Sequence, residues 1–309
     1  MIQSSDEKLP APAVSALDLI GNTPLVRIRA LTAGLSPRVR VYAKLERGNP
    51  GGSVKDRAAF RMISDAEEAG LLTRDKTVLD STSGNTGIAY AMIGAVKGYR
   101  VKIVIPENAG IERKKIMTGF GAELVFSSPF EGADGAIRLA KQIVGANPEF
   151  YFQPDQYNNP SNWKAHYFTT GPEIIAQTRE SITHFIAGVG TGGTIMGTGR
   201  ALKEHNPAIR VLSVHPDDAM HGIEGMKYLG AGAIVPGIFD AAFPDEQLLV
   251  RTETGYEMAK RLAREEGLFV GHSSGAALAA ALKVAEKLEQ GVLVVMFPDG
   301  GDRYLSKEI

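Results

Sequence analysis

The sequence contains no cysteine, which excludes disulfides, thiolate nucleophiles and thiolate metal sites. Its six histidines show no metal-ligand spacing and no carboxylate cluster stands beside them, so no metal is expected. Neither sign of charge is in excess. The 34 basic and 35 acidic side chains leave a formal net charge of -1, which gives no overall field for a nucleic-acid backbone. Aromatic residues, at 7%, form no obvious stacking platform. No apolar run approaches the roughly 18 to 20 residues that a spanning helix needs. The first 20 residues also lack a basic start followed by a continuous apolar segment. A soluble, cytoplasmic protein is expected, without nucleic-acid or membrane partners.

What is present is a globular composition: 309 residues, 44% hydrophobic and 22% charged. At about 100 to 200 residues per domain, that length predicts two domains or one large α/β unit. Apolar, β-branched runs alternate with segments of helical period, the pattern of βαβ units and a mostly parallel sheet. Strands are expected at 24–28, 39–44, 78–81, 101–105, 123–127, 184–189, 211–215, 268–270 and 292–298. Several are apolar on both faces, as helix-covered sheets require. A helix is expected over Ser53–Ala69, where Ala58, Ala59, Met62, Ile63 and Ala66 recur at three- and four-residue steps. Another is expected over Gly275–Leu288. Turn formers crowd residues 145–165 and mark the best boundary. No internal repeat or low-complexity tract appears.

Three glycine-rich turns each follow a strand and open into a helix, so each sets backbone N–H groups at a sheet's carboxyl edge. Thr82-Ser83-Gly84-Asn85-Thr86-Gly87 carries hydroxyls and amides that could hold a carboxylate without a fixed charge, although simple Ser/Thr helix capping accounts for it equally. Gly188-Val189-Gly190-Thr191-Gly192-Gly193-Thr194 satisfies the dinucleotide fingerprint G-x-G-x-x-G. Asp217, 24 residues past Gly193, stands where a ribose-binding acid could sit, so a nicotinamide oxidoreductase is a rival. Its two threonines and four glycines suit a terminal phosphate monoester better. Gly271-His272-Ser273-Ser274-Gly275 offers hydroxyls again, with a helix cap as the plain alternative. Finally, Asn49-Pro50-Gly51-Gly52-Ser53-Val54-Lys55-Asp56-Arg57 places a lysine in a helix's first turn, against the dipole. A Schiff base at Lys55 would remove that mismatch; a surface lysine is the simpler reading of this segment alone.

Together these segments, with Ile20-Gly21-Asn22-Thr23-Pro24-Leu25-Val26, Lys44-Leu45-Glu46 and Gln156-Tyr157-Asn158-Asn159-Pro160, resemble the cysteine synthase (O-acetylserine sulfhydrylase) and cystathionine β-synthase family. That family lies within the fold-type II pyridoxal phosphate enzymes, which include the tryptophan synthase β-subunit. The resemblance spans nearly the whole chain. It implies an α/β fold of two domains, each a mostly parallel twisted sheet flanked by helices. Residues 1–50 would pack largely with the larger domain, 51–155 form a smaller mobile domain, and 156–309 form the larger, cofactor-phosphate domain.

By motif position the resemblance makes Lys55 the Schiff-base lysine and Asn85 the partner of the cofactor's 3-hydroxyl oxygen. Gly190, Thr191, Gly192, Gly193 and Thr194 become the phosphate cup, and Ser273 the partner of the ring nitrogen. Thr82, Ser83, Asn85, Thr86 and Gln156 hold the substrate, the first two with Thr86 and Gln156 at its α-carboxylate, and Gly225 lies in a mobile loop facing the substrate amine. The activity implied is a transferase: β-replacement that forms L-cysteine from O-acetyl-L-serine, or O-phospho-L-serine, and sulfide through an α-aminoacrylate. A homodimer is expected, and a serine acetyltransferase is a candidate partner.

Some positions depart from the family's commonest pattern: Ser81 replaces proline, His272 replaces isoleucine, and Met226-Lys227-Tyr228-Leu229 replaces a glycine-rich continuation. Lys227 could set a cation near a phosphate leaving group, although a solvated loop lysine is the simpler reading. The alternatives are condensation of serine with homocysteine, a serine or threonine dehydratase, and a non-catalytic pyridoxal-phosphate-binding regulatory protein. Absence of cysteine and an end at Ile309 give no expectation of haem or an appended regulatory domain.

Overall fold

The structure is a computed structural model that describes residues 12–82, 84–230, 233 and 235–306; Ser83 lies outside the described residues. In chain order the elements are β1 Leu25–Arg27, β2 Val39–Leu45, α1 Lys55–Glu68, β3 Thr77–Ser81, α2 Asn85–Lys97, β4 Arg100–Pro106, α3 Ile111–Gly119, β5 Glu123–Ser127, α4 Gly132–Ala146 and β6 Tyr151–Phe152. They continue as α5 Ser161–Phe168, α6 Thr170–Gln177, β7 His184–Gly188, α7 Gly193–His205, β8 Arg210–Pro216, β9 Glu246–Val250, α8 Thr252–Glu266, α9 His272–Ala285 and β10 Gly291–Phe297. Two sheets result. The larger has the order β1-β2-β10-β7-β8-β9 and the smaller β5-β4-β3-β6. Every pairing is parallel except β1 with β2.

Burial on both faces explains the continuous apolar runs. In β10, Leu293, Val295 and Phe297 join one core with Val41, Ala43 and Ala276, Ala277, Ala280 and Ala281 of α9. Val294 and Met296 point the other way, into a core with Phe185, Ala187 and Ile195. The smaller sheet repeats this: Val78 packs with Ile63 of α1 and Ile88 of α2, while neighbouring Leu79 packs with Ala136 and Ala140 of α4.

The α/β reading and most strands agree with the sequence analysis. Leu268–Val270 does not: it forms only an isolated bridge, Val270 with Gly300, and the edge strand is β9 instead. In β9 Gln247 and Leu249 are exposed and Glu246 and Leu248 half-buried, so it lacks the continuous apolar run that marks the inner strands. β6 is two residues long and sits among the turn formers of 145–165. α1 begins at Lys55 rather than Ser53, whose Oγ accepts from the Lys55 N–H, and the last long helix runs 272–285 rather than 275–288. Among the described residues no helix is long and apolar enough to cross a membrane.

The strand orders place the site. From β7 the chain steps outward to β8 and β9, then returns to β7's other side as β10; from β3 it steps to β4 and β5, then returns as β6. Such reversals open a crevice at the carboxyl ends of the flanking strands. The turns after β3, β6, β7 and β10 carry Thr82 and Gly84, Gln156, Val189–Gly192 and Asp299 respectively.

Candidate active site

These turns meet. A cavity of about 600 Å³ is lined by Lys55, Thr82, Asn85, Thr86, Gln156, Gly190, Thr191, Gly225 and Lys227, all singled out from sequence. A smaller hollow shares Lys55, Asn85, Gly190 and Thr191 with it and adds Gly192, Thr194, Ser273 and Asp299. Asp217, the acid that a dinucleotide would need, lines neither.

Lys55 opens α1. Burial pushes its ammonium down, against an opposing pull from Asp299, and its Nζ makes no hydrogen bond or ion pair among the described residues. A desolvated amine without a fixed partner suits covalent and proton-transfer work. Ser273 is the second residue of α9 and 5% exposed; its hydroxyl is likewise unpartnered among the described residues.

The loop after β7 is shaped by what it cannot accept. A Cβ on Gly190 would lie 2.3 Å from the Gly225 carbonyl oxygen, and one on Gly193 would lie 1.9 Å from Asn162 Oδ1. Gly192 sits at φ +89°, where side chains are strained, and caps α7 with no side-chain bond. Asn162 Nδ2 donates to Thr191 Oγ1 over 3.1 Å and to the Gln156 carbonyl over 2.7 Å, which fixes the loop from behind. Thr194 Oγ1 lies 3.3 Å from His166 Nε2. Burial, reinforced by the Arg57 charge, pushes that imidazole down to about 3, so it stays neutral. The loop thus offers N–H groups at a helix N-terminus, that of Gly193 already donating to Thr191 Oγ1 over 3.4 Å, and two hydroxyls, with no carboxylate of its own. This donor set fits a phosphate monoester, and with the amine and hydroxyl of Lys55 and Ser273 it fits pyridoxal phosphate.

On the opposite wall, Thr86 Oγ1 donates to Gln156 Oε1 over 2.8 Å, leaving the Gln156 amide N–H groups to donate. The Gly84 N–H donates to Thr82 Oγ1 over 3.1 Å, and α2 starts without a side-chain cap. These are neutral donors suited to a carboxylate. Asn85 is held at both ends of its amide: Nδ2 donates to Asp299 Oδ2 over 2.7 Å, and Oδ1 accepts from Arg303 Nη1 over 2.6 Å. One Nδ2 hydrogen remains to face a ligand oxygen. Lys227 sits with its ammonium 5.6 Å over the Tyr157 ring.

Sequence reading missed Asp299, Arg303 and Tyr304. They follow β10 as the other site turns follow their strands, so Asp-Gly-Gly-Asp-Arg-Tyr after a long apolar run was the available signal. It also missed Arg113, on α3, and Asn162, which it counted only as a turn former.

Comparison with known proteins agrees with this chemistry. The family model described as pyridoxal-phosphate dependent enzyme matches residues 16–299. The chain is 51% identical over 306 residues to the cysteine synthase of Aquifex aeolicus, covering 97% of this chain and 93% of that one. It is 45% identical over 296 residues to cysteine synthase B of Pseudomonas aeruginosa, covering 94% and 96%. Among solved structures it is similar to the cysteine synthase of Entamoeba histolytica, with a TM-score of 0.92 and 37% identity over 99% of this chain and 92% of that one. The O-acetylserine dependent cystathionine β-synthase of Helicobacter pylori gives 0.90 and 37% over 96% and 99%. The chain belongs to the pyridoxal-phosphate dependent enzyme family.

Proposed function

We propose that this protein is a cysteine synthase, replacing the β-substituent of O-acetyl-L-serine, or O-phospho-L-serine, with sulfide to give L-cysteine. The observation that carries this reading is that the Lys55 amine and Ser273 hydroxyl, unpartnered among the described residues, share one hollow with the phosphate-accepting loop, and that hollow opens onto a wall of neutral carboxylate donors.

In this reading Gly190–Thr194 hold the phosphate of pyridoxal phosphate, Lys55 Nζ its aldehyde carbon, Asn85 its 3-hydroxyl oxygen and Ser273 its ring nitrogen. The cofactor supplies an electron sink for the pair left behind when the donor's α-proton departs. Ser273, being neutral where a carboxylate would stabilise full positive charge, moderates that sink and favours β-elimination. Thr82, Ser83, Thr86 and Gln156 bind the donor's carboxylate through preorganised donors. Lys55 Nζ, freed when the donor's own amine takes its place and held toward its neutral form by burial, takes the α-proton and later returns it. The β-carbon loses acetate or phosphate with the electron pair of its C–O bond and gains a C–S bond from hydrosulfide. Residues 51–155 form the smaller unit that closes over the donor and excludes water. A cytoplasmic homodimer, with a serine acetyltransferase as candidate partner, belongs to the same reading.

The test is to load the purified protein with pyridoxal phosphate, add sulfide with the acetyl or phosphoryl donor, and assay cysteine against pyruvate. Cysteine without pyruvate is expected, and Lys55→Ala should abolish it. Pyruvate in place of cysteine would make the protein a dehydratase. Faster turnover of the phosphoryl donor that Lys227→Ala selectively removes would assign the leaving group.

A further inference from the structure

Loop 221–226 forms one lip of the cavity, and its tip is Glu224-Gly225. Ile223 and Met226 on either side are buried, whereas Gly225 sits at φ +85° with nothing within 4 Å of an added Cβ. Glu224 is therefore the charged side chain with which the tip is held across the mouth. Its partner is Arg113 of α3, across the mouth in the smaller-sheet half, 4% exposed and ion-paired to it. The Arg113 guanidinium also reaches Gly84 of the carboxylate turn, 3.5 Å from where a Cβ would stand.

Arg113 is itself propped by a column of rings. Its guanidinium lies 5.2 Å over Tyr304. Tyr304 meets His272 at 5.1 Å, and His272 stacks on Tyr256 at 3.9 Å and 23°. The column then returns to the same loop, because the Tyr256 hydroxyl donates to the Gly222 carbonyl over 2.9 Å. Loop 221–226 is thus gripped at Gly222 from one end of the column and at Glu224 from the other.

Accepting the cysteine synthase reading, we propose that Arg113 is a positioning residue for the amino-acid donor: by pairing with Glu224 it fixes the loop opposite the carboxylate turn, so that donor binding depends on it and sulfide addition does not. Removing either partner takes away this contact across the mouth, and ordering the tip is then a cost that donor binding must meet.

Three variants of the cofactor-loaded enzyme, Arg113→Lys, Glu224→Gln and the charge swap Arg113→Glu with Glu224→Arg, test this with steady-state kinetics and hydrogen exchange of 221–226. Glu224→Gln should raise KM for the amino-acid donor about tenfold, with sulfide KM and kcat within roughly twofold, and should speed exchange of 221–226 about fivefold. Arg113→Lys should retain most of the wild-type behaviour, and the swap should recover at least half of what Glu224→Gln loses. Unchanged exchange, an equal rise in both KM values, or a swap no better than the single variant would overturn the proposal. If the wild type forms no cysteine, the functional reading fails instead, and the exchange results still judge the contact.

Discussion

At the scale of single residues, the site is built as much from side chains left out as from those present. The Gly193 Cα faces Asn162 Oδ1 so closely that any Cβ would land 1.9 Å from it, and Asn162 is the residue that holds Thr191 and the Gln156 backbone. Gly193→Ala must therefore push Asn162 away and unseat the loop. Its affinity for pyridoxal phosphate, followed by absorbance titration, should fall at least about tenfold, because several donors lose alignment together. Gly145→Ala, where nothing lies within 4 Å, should bind the cofactor as the wild type does; equal loss in both would show that the loop is not the phosphate cup.

At the scale of elements, α1 must deliver Lys55 to the hollow from a helix whose N-terminus repels a cation, so something must anchor it. Two residues on, Arg57 grips Glu46 through Nε and Nη2 at 2.7 and 2.9 Å and Glu173 through Nη1 at 2.6 Å, and Lys44 of β2 completes the group at Glu173. Burial alone would push Glu46 up, but the Arg57 charge overrides it and holds the carboxyl below its ordinary range. Arg57→Met strands that fully buried carboxylate and should cost about 3 to 5 kcal/mol in urea unfolding. Arg261→Met, breaking an exposed i,i+4 pair with Glu265, should cost roughly 0.5 kcal/mol or less. Similar values would mean that the network does not anchor α1. The same elements show what the sequence made legible. Strands buried on both faces read clearly because every residue of a run like Val292–Phe297 is apolar, and the site turns read clearly because glycines and hydroxyls cluster after such runs. β9 failed because an edge strand needs only one apolar face. Arg113 and the 299–304 segment failed because partners such as Glu224 and Asn85 lie far along the chain, and Asn162 because its role depends on Thr191, 29 residues on; no local pattern records such pairings.

At the scale of the whole molecule, pH sets two opposing limits on stability. Burial pushes five imidazoles down, His166 to about 3 and His215 to about 4, with His184, His221 and His272 in the same direction. The unfolded chain takes up those protons below its ordinary 6.5 and the folded chain does not, so this stability is lost as pH falls from there. Asp80 works the other way. It lies wholly inside the smaller sheet, accepting from the Ser81 N–H at 2.8 Å and the Tyr90 hydroxyl at 3.2 Å, and burial pushes it up to about 7. A carboxyl raised above its unfolded value of 3.8 stabilises the fold fully below that value, and the gain disappears as pH rises toward 7. Asp80→Asn keeps a neutral group there at every pH, with its carbonyl oxygen still able to accept from Ser81. The difference in unfolding free energy between Asp80→Asn and wild type should therefore climb in favour of the variant between about pH 4 and 7, by a few kcal/mol in order of magnitude, and be level on either side. Denaturant titrations of both proteins at unit pH steps would measure it; a difference independent of pH would mean that Asp80 is not the buried acid that opposes folding at neutral pH.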